Sequence, residues 1–316
     1  MDTWKHGYNG YIRGKTAKMM KRIVVILFTL MSAVFTAHAV RGSNLARRIK
    51  VILKDIDCVA GISVMYDGEE IYGHNSDALF PMLSVFKLHQ AIAVLDSLNR
   101  ADKSIEDTIV IHRFEIKEDT YSPMRSLFAE GDARLPIYSI LEYSLLQSDN
   151  NACDILFDRF GGTEYVQEYI YNLGFTHTTI KWNENDMHED ITRCYDNHTT
   201  PGEAARLLEM VYGRRIPEGR YSDWLVNALE NCDTGRDRLP APLAGTKGLI
   251  GHKTGTGDRN MRGEIIGVND VGFIILPDGR HYSIAIFLKD VKGDLKEAES
   301  CIARISNVVL DYVDGL

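Results

Sequence analysis

The sequence has no metal-ligand spacing. Its ten histidines form no His-Glu-x-x-His pattern, and its five cysteines, Cys58, Cys153, Cys194, Cys232 and Cys301, show no paired arrangement; neither a metal nor another cofactor is expected. An odd set of cysteines in a chain of this size reads as buried singles rather than a disulfide framework, with one bridge left open. No repeat or low-complexity tract occurs, and "GTGDRN" lacks the context of a nucleotide loop. Long hydrophobic runs are also missing. The thirteen uncharged residues Ile23 to Phe35 are too short for a comfortable membrane span. With Lys18, Lys21 and Arg22 before them and Ala37-His38-Ala39 after, they read as a Sec-type export signal, so a periplasmic or secreted protein is expected. Residues 1–39 are set aside as signal plus N-terminal extension, leaving 40–316 as the folded domain.

Basic charge is scarce in that domain. Residues 1–39 carry six of the 36 basic and one of the 44 acidic residues, leaving 30 against 43, a net charge of −13. Nucleic acid and an anionic membrane surface are poor partners for such a chain. A small-molecule substrate and a monomer are expected instead, with no stable membrane partner.

What is present alternates in period. "NLARRIKVILKDID" has amphipathic helical spacing, and "VAGISVMYDGEEIYGHN" reads as two strands about an Asp67-Gly68 turn. From about Ser84 to Cys232 the pattern is mostly helical; "TTPGEAARLLEMVYG" offers Thr200 as N-cap, Pro201 at the first helical position and Glu203 completing a capping box. Strands return in "GLIGHKTGT", "GEIIGVNDVGFIILPDG" and "RHYSIAIFLKD", before a final amphipathic helix. The pattern predicts an α/β sandwich from about 43–78 and 233–316 with an all-α lobe, about 79–232, inserted, and a site in the cleft between them.

Within "FPMLSVFKLHQ", Ser84 and Lys87 stand three residues apart where a buried helix is expected to start, so they share a face. A lysine in apolar surroundings finds its charge costly and becomes able to accept a proton, which is one way to turn a serine hydroxyl into a nucleophile. Ser148-Asp149-Asn150 follows the apolar helix "IYSILEYSLLQ", Lys253-Thr254-Gly255 sits in a strand, and Glu184 lies in the polar stretch between. Singly each motif is common. In this order they resemble the class A serine β-lactamases over about residues 43–316.

The resemblance implies a mixed α/β fold of the serine β-lactamase and penicillin-binding-protein type, an antiparallel sheet flanked by helices, and hydrolysis of penicillins or cephalosporins through an acyl-serine. It implies Ser84 as nucleophile, Lys87 as its base, Ser148 beside Lys253 as proton relay, and Glu184 as base for deacylation. The N–H groups of Ser84 and Thr256 would form the oxyanion hole, and Asn150 would hold the substrate's side-chain amide. Thr254, Gly255, Thr256 and Arg262 would frame the carboxylate, with Tyr121 of "TYSPMR" bordering the cleft. "NENDMH", "NCDTGRDRLPAPL" and "NDVGFIILPDGRHYSIAIF" are similar to the branch of extended-spectrum and anaerobe cephalosporinases. Cephalosporins are therefore expected to be better substrates than carbapenems, with small Gly257 beside Thr256 leaving room for a bulky side chain.

Two positions depart from the common pattern. The family often places Asn four residues after the glutamate, whereas this chain has His188, as the cephalosporinase branch does; it is expected to be a structural partner of Glu184. Ala91 and Leu141 occupy the positions of the family's common disulfide. A penicillin-binding protein or carboxypeptidase, or a covalent sensor, shares three of the four elements but lacks the deacylating glutamate. A glutaminase on this scaffold is disfavoured by Glu184 and Arg262.

Overall fold

The computed structural model describes residues 44–316; the expected export signal lies outside the described residues. Helix α1 (44–52) opens the described chain and tightens into a 3-10 turn, Leu53–Asp55. Strands β1 (Val59–Tyr66) and β2 (Glu69–His74) form a hairpin in which Asp67 and Gly68 have φ of 53° and 78°. Two successive left-handed residues are what a two-residue hairpin turn demands, and Asp-Gly supplies them.

Three long strands close the chain: β7 (Leu249–Thr256), β8 (Ile265–Ile275) and β9 (His281–Val291). The Pro277-Asp278-Gly279 turn joins the last two, with Gly279 at φ 89°. β1 pairs antiparallel with β9, Ile62 opposite Ile286, giving one five-stranded antiparallel sheet in the order β2-β1-β9-β8-β7. Ten of the eleven β8 residues are buried, Asn269 and Asp270 among them, because the strand is covered on both faces. Helices α7 (Pro201–Tyr212) and α9 (Leu295–Asp314) pack against the sheet.

The helical segment is organised around α2 (Phe86–Arg100), whose residues are buried almost all round. α3 (Ile137–Leu146), α4 (Asn150–Arg159) and α5 (Gly162–Asn172) pack on it; α6 (Glu184–Glu189) packs on α4 and α8 (Ser222–Glu230) on α3. This segment is not purely helical. β3 (Phe80–Pro81) pairs with β6 (His198–Thr199), and β4 (Thr108–Ile111) with β5 (Ala133–Pro136), runs too short to announce themselves by periodicity. The Thr200 cap forms, its hydroxyl accepting from Glu203 N–H, but the carboxylate of Glu203 turns to the Thr178 hydroxyl and His177 N–H instead of completing the box. All five cysteines are free, and Ala91 and Leu141 are packed in the apolar core. Residues 48–316 form one compact unit, and among the described residues no helix is long and apolar enough to cross a membrane.

Candidate active site

Ser84 sits in a tight bend. Leu83 adopts a left-handed φ of 49°, and a 3-10 turn, Leu83–Val85, carries Ser84 before α2 begins at Phe86, two residues later than the sequence suggests. The bend is clamped from the sheet: Asn269 of β8 donates to the carbonyls of Pro81 and Met82 at 2.8 and 3.1 Å. Gly255 of β7 approaches so closely that a Cβ would lie 2.5 Å from Met82 O, which only glycine permits. Ser84 is left partly exposed, while Lys87, one turn on, is fully buried.

Lys87 Nζ meets Glu184 Oε1 at 2.9 Å and donates to Ser148 O and Asn150 Oδ1, each at 2.7 Å. Three acceptors match the three donors of an ammonium group. The Ser84 hydroxyl donates to the same Glu184 Oε1, at 3.3 Å. The Ser84 hydroxyl thus faces the Glu184 carboxylate, while the Lys87 donors are taken up by Glu184, Ser148 and Asn150.

Glu184 is the first residue of α6, where N–H groups have no partner within the helix. Asn183 caps the turn by accepting from Asp186 N–H at 2.8 Å. Asp154, one turn beyond Asn150 on α4, takes the Glu184 and Asn185 N–H groups at 2.8 and 3.0 Å. Burial and the facing Glu184 charge push the Asp154 carboxyl up to about 7 despite these bonds. His188, expected to support Glu184, instead places Nε2 3.3 Å from Asp119 Oδ2. The i, i+4 spacing of Asn150 and Asp154 was a signal for this support that the motif reading passed over.

Ser148 has φ 59° at the α3–α4 junction, which turns its side chain towards β7. Lys253 Nζ donates to Ser148 Oγ and to Thr254 O, both at 3.0 Å. Burial and neighbouring Lys87 pull the Lys253 ammonium down to about 8, against the opposing pull of nearby anions. Asn150 gives its Nδ2 hydrogen to Thr120 Oγ1 at 2.9 Å and its N–H to Tyr121 O at 3.0 Å. Asp149 caps α4 and accepts from Ser122 Oγ and Met124 N–H, so the segment carrying exposed Tyr121 is tied to the Ser-Asp-Asn turn.

β7 is an edge strand, so a ligand can pair along its outer side, where Thr254 O and Gly255 O already accept from Lys253 and Arg238. The cation at this edge is Arg238, not Arg262. Arg238 is 4% exposed and donates to Thr256 Oγ1 at 2.6 Å and to Asn269 O at 3.0 Å, while pairing with Glu299 at 3.2 Å. Arg262 points elsewhere: it is 67% exposed and pairs with Glu264 at 2.7 Å. Gly257 lines the cleft beside Thr256, where a Cβ would also meet Leu83 and Ile266 at 3.0–3.2 Å. Its smallness serves packing beneath the cleft.

These groups meet in a cleft of about 340 Å³, lined by Ser84, Ser148, Asn150, Glu184, Thr254 and Thr256, with Tyr121, His188 and Arg238 among the remaining walls. Lys87, Lys253 and Gly255 lie behind that lining. A hydroxyl within reach of a carboxylate, two buried ammonium groups, a second hydroxyl and a backbone edge make an arrangement suited to acyl transfer.

The chain matches the family model described as "Beta-lactamase enzyme family" over residues 44–313. It is 35% identical to a β-lactamase of Bacteroides uniformis, over 92% of this chain and 99% of that one, and 32% identical to β-lactamase VEB-1 of Pseudomonas aeruginosa, over 93% and 98%. Similar solved structures include a class A β-lactamase from Bacteroides cellulosilyticus, with TM-score 0.83 and 33% identity over 87% of this chain and 99% of that one. The TLA-1 extended-spectrum β-lactamase superposes with TM-score 0.82 at 35% identity, covering 86% and 98%.

Proposed function

The chain belongs to the class A serine β-lactamases and hydrolyses the β-lactam ring, and we propose that it does so with Ser84 as nucleophile and Glu184 as proton acceptor in both half-reactions. The observation that carries this reading is Glu184 Oε1, which holds Lys87 at 2.9 Å and Ser84 Oγ at 3.3 Å. As Ser84 Oγ attacks the lactam carbonyl, its proton passes to Glu184. Lys87, which meets the same carboxylate at 2.9 Å, stabilises the developing negative charge. The Ser84 and Thr256 N–H groups receive the oxyanion.

The amide C–N bond then breaks, and the ring nitrogen takes a proton through Ser148, whose hydroxyl is polarised by Lys253. In the second half, water attacks the acyl-Ser84 ester and Glu184 takes its proton. Thr254, Thr256 and Arg238 bind the substrate carboxylate, a charge-assisted role for which a buried guanidinium is well suited. Asn150 and Tyr121 contact the acylamino side chain, and Gly255 keeps β7 against the nucleophile turn.

We propose cephalosporins as better substrates than carbapenems; similarity to proteins titled extended-spectrum β-lactamases supports this. Export through the 1–39 signal and action as a monomer complete the reading. Ser84→Ala tests it: both turnover of a chromogenic cephalosporin and covalent labelling by penicillin are expected to vanish. Residual labelling elsewhere would remove Ser84 from its role.

A further inference from the structure

A second reactive array, Cys232, His252 and Asp270, adjoins the cleft at β7 through Thr234 and Thr254, and none of those first three residues has a part in the mechanism above. Side chains alternate along a strand, so Lys253 faces Ser148 while His252 and Thr254 face the other way. There His252 Nδ1 lies 2.9 Å from Asp270 Oδ1 of β8, and its ring is within hydrogen-bonding reach of the Cys232 thiol, just beyond α8. Asp270 is fully buried and His252 nearly so, whereas Cys232 is partly exposed. Cys232 Sγ is 3.3 Å from Thr234 Oγ1, which in turn is 2.6 Å from Thr254 Oγ1.

We propose that Cys232, set against the His252–Asp270 pair, is a modification site that exchanges with small-molecule disulfides, and that the resulting mixed disulfide slows β-lactam hydrolysis through Thr234 and Thr254. Burial works against a Cys232 thiolate, but the His252 imidazolium facing it, with Lys253 nearby, brings the thiol down to about 7. Burial likewise opposes charge on His252, and Asp270 together with Cys232 lifts it to about 10. The other four cysteines are inert by comparison. Burial and Asp57 push Cys58 up to about 11, burial raises Cys194 and Cys301 to about 12, and burial holds Cys153 well above the ordinary thiol range.

In the exchange the Cys232 thiolate attacks one sulfur of the disulfide. A new S–S bond forms, the old one breaks, and the departing thiolate keeps the electron pair and takes a proton from water; the cysteine is oxidised and the reagent reduced. The added group cannot share the space of Thr234 without displacing it, and Thr254 moves with its hydrogen-bonded neighbour. This second half rests on the carboxylate-binding role given to Thr254, whereas the exchange itself does not.

Cys58 is also partly exposed, so it serves as a reference within the same molecule. At pH 7 Cys232, brought down to about 7, is substantially ionised, whereas Cys58, pushed up to about 11, is almost wholly protonated. The weaker nucleophilicity of a low-pKa thiolate returns only part of that advantage, so Cys232 is expected to be the faster thiol. The test is timed exposure of the mature protein to oxidised glutathione at pH 7, then acid quench and peptide mass mapping. Modification confined to Cys232 at early times is expected, and His252→Asn slows it without changing Cys58. Equal rates at the two cysteines, or Cys58 reacting first, would overturn the site. Chromogenic cephalosporin turnover should fall as Cys232 is modified, while Cys232→Ser keeps its activity under the same treatment. Full turnover by protein mapped as modified would overturn the link to the cleft, and a Cys232→Ser variant inhibited equally would do the same.

Discussion

Replacing Glu184 with glutamine preserves the shape of the side chain and removes its ability to take a proton. Ser84 Oγ donates to Glu184 Oε1 at 3.3 Å, and all three Lys87 donors are already engaged, so the substitution leaves neither half-reaction with its proton acceptor. Loss of a general base costs about 10²–10⁴-fold, or roughly 3–5 kcal/mol of barrier at 1.36 kcal/mol per decade. Both acylation and deacylation should slow by factors in this range, with acyl-enzyme accumulating as deacylation becomes limiting. Stopped-flow absorbance with a chromogenic cephalosporin gives the two rates, and intact-protein mass spectrometry counts the adduct. A single equivalent of product released slowly, followed by a far slower steady state, is the expected record.

The substitution also strips a buried ammonium of its carboxylate, a change that costs about 3–5 kcal/mol where nothing replaces the lost partner. Ser148 O and Asn150 Oδ1 remain, so the loss should fall at the low end; thermal unfolding checks that the variant is folded at the assay temperature. Unchanged acylation with slowed deacylation would refute Glu184 as the acceptor for Ser84 and return that task to Lys87. Parental steady-state activity would refute both roles.

Three further outcomes follow from the cleft's geometry. Arg238→Ala should raise KM for penicillins and cephalosporins by about tenfold or more, as expected for a lost charge-assisted contact of roughly 1.5–3 kcal/mol, whereas Arg262→Ala should change it little; the reverse ranking in steady-state kinetics would restore Arg262 to the site. His188→Asn should retain most of its hydrolysis, because His188 pairs with Asp119 and not with Glu184, and a loss of a hundredfold or more in kcat would contradict this. Lys253, pulled down to about 8 from 10.5, should give kcat/KM a falling limb above about pH 8 as its ammonium is lost. The sign for stability is opposite: between about pH 8 and 10.5 the unfolded chain binds more protons at this group, so its contribution to stability rises with pH. Lys253→Arg should keep its charge and move the limb out of range, which a pH profile reads directly.

Local signals were legible because local chemistry enforces them. Asp67-Gly68 fixes a hairpin turn, and the Ser84–Lys87 spacing puts two side chains on one face. The groups that were missed act across the chain. Arg238 lies in an irregular segment where no period shows which way a guanidinium points, and only the packing against Asn269 and Glu299 aims it at Thr256. Arg262 sits in a stretch that looks right, but Glu264 two residues on captures it. Asp154 becomes meaningful only when α6 docks its N-terminus on α4. Glu203 could satisfy either its own helix cap or Thr178, and tertiary packing chose Thr178.

The central claim is a covalent acyl-Ser84 that forms and is then hydrolysed by the same chain. Time-resolved intact-protein mass spectrometry of the parental enzyme, mixed with excess chromogenic cephalosporin and quenched at intervals, tests it most directly when combined with peptide mapping. The account predicts a transient adduct on the Ser84 peptide that disappears as substrate is exhausted, returning unmodified protein after many turnovers. An adduct that persists after one equivalent, or one that maps to any other residue, would contradict it.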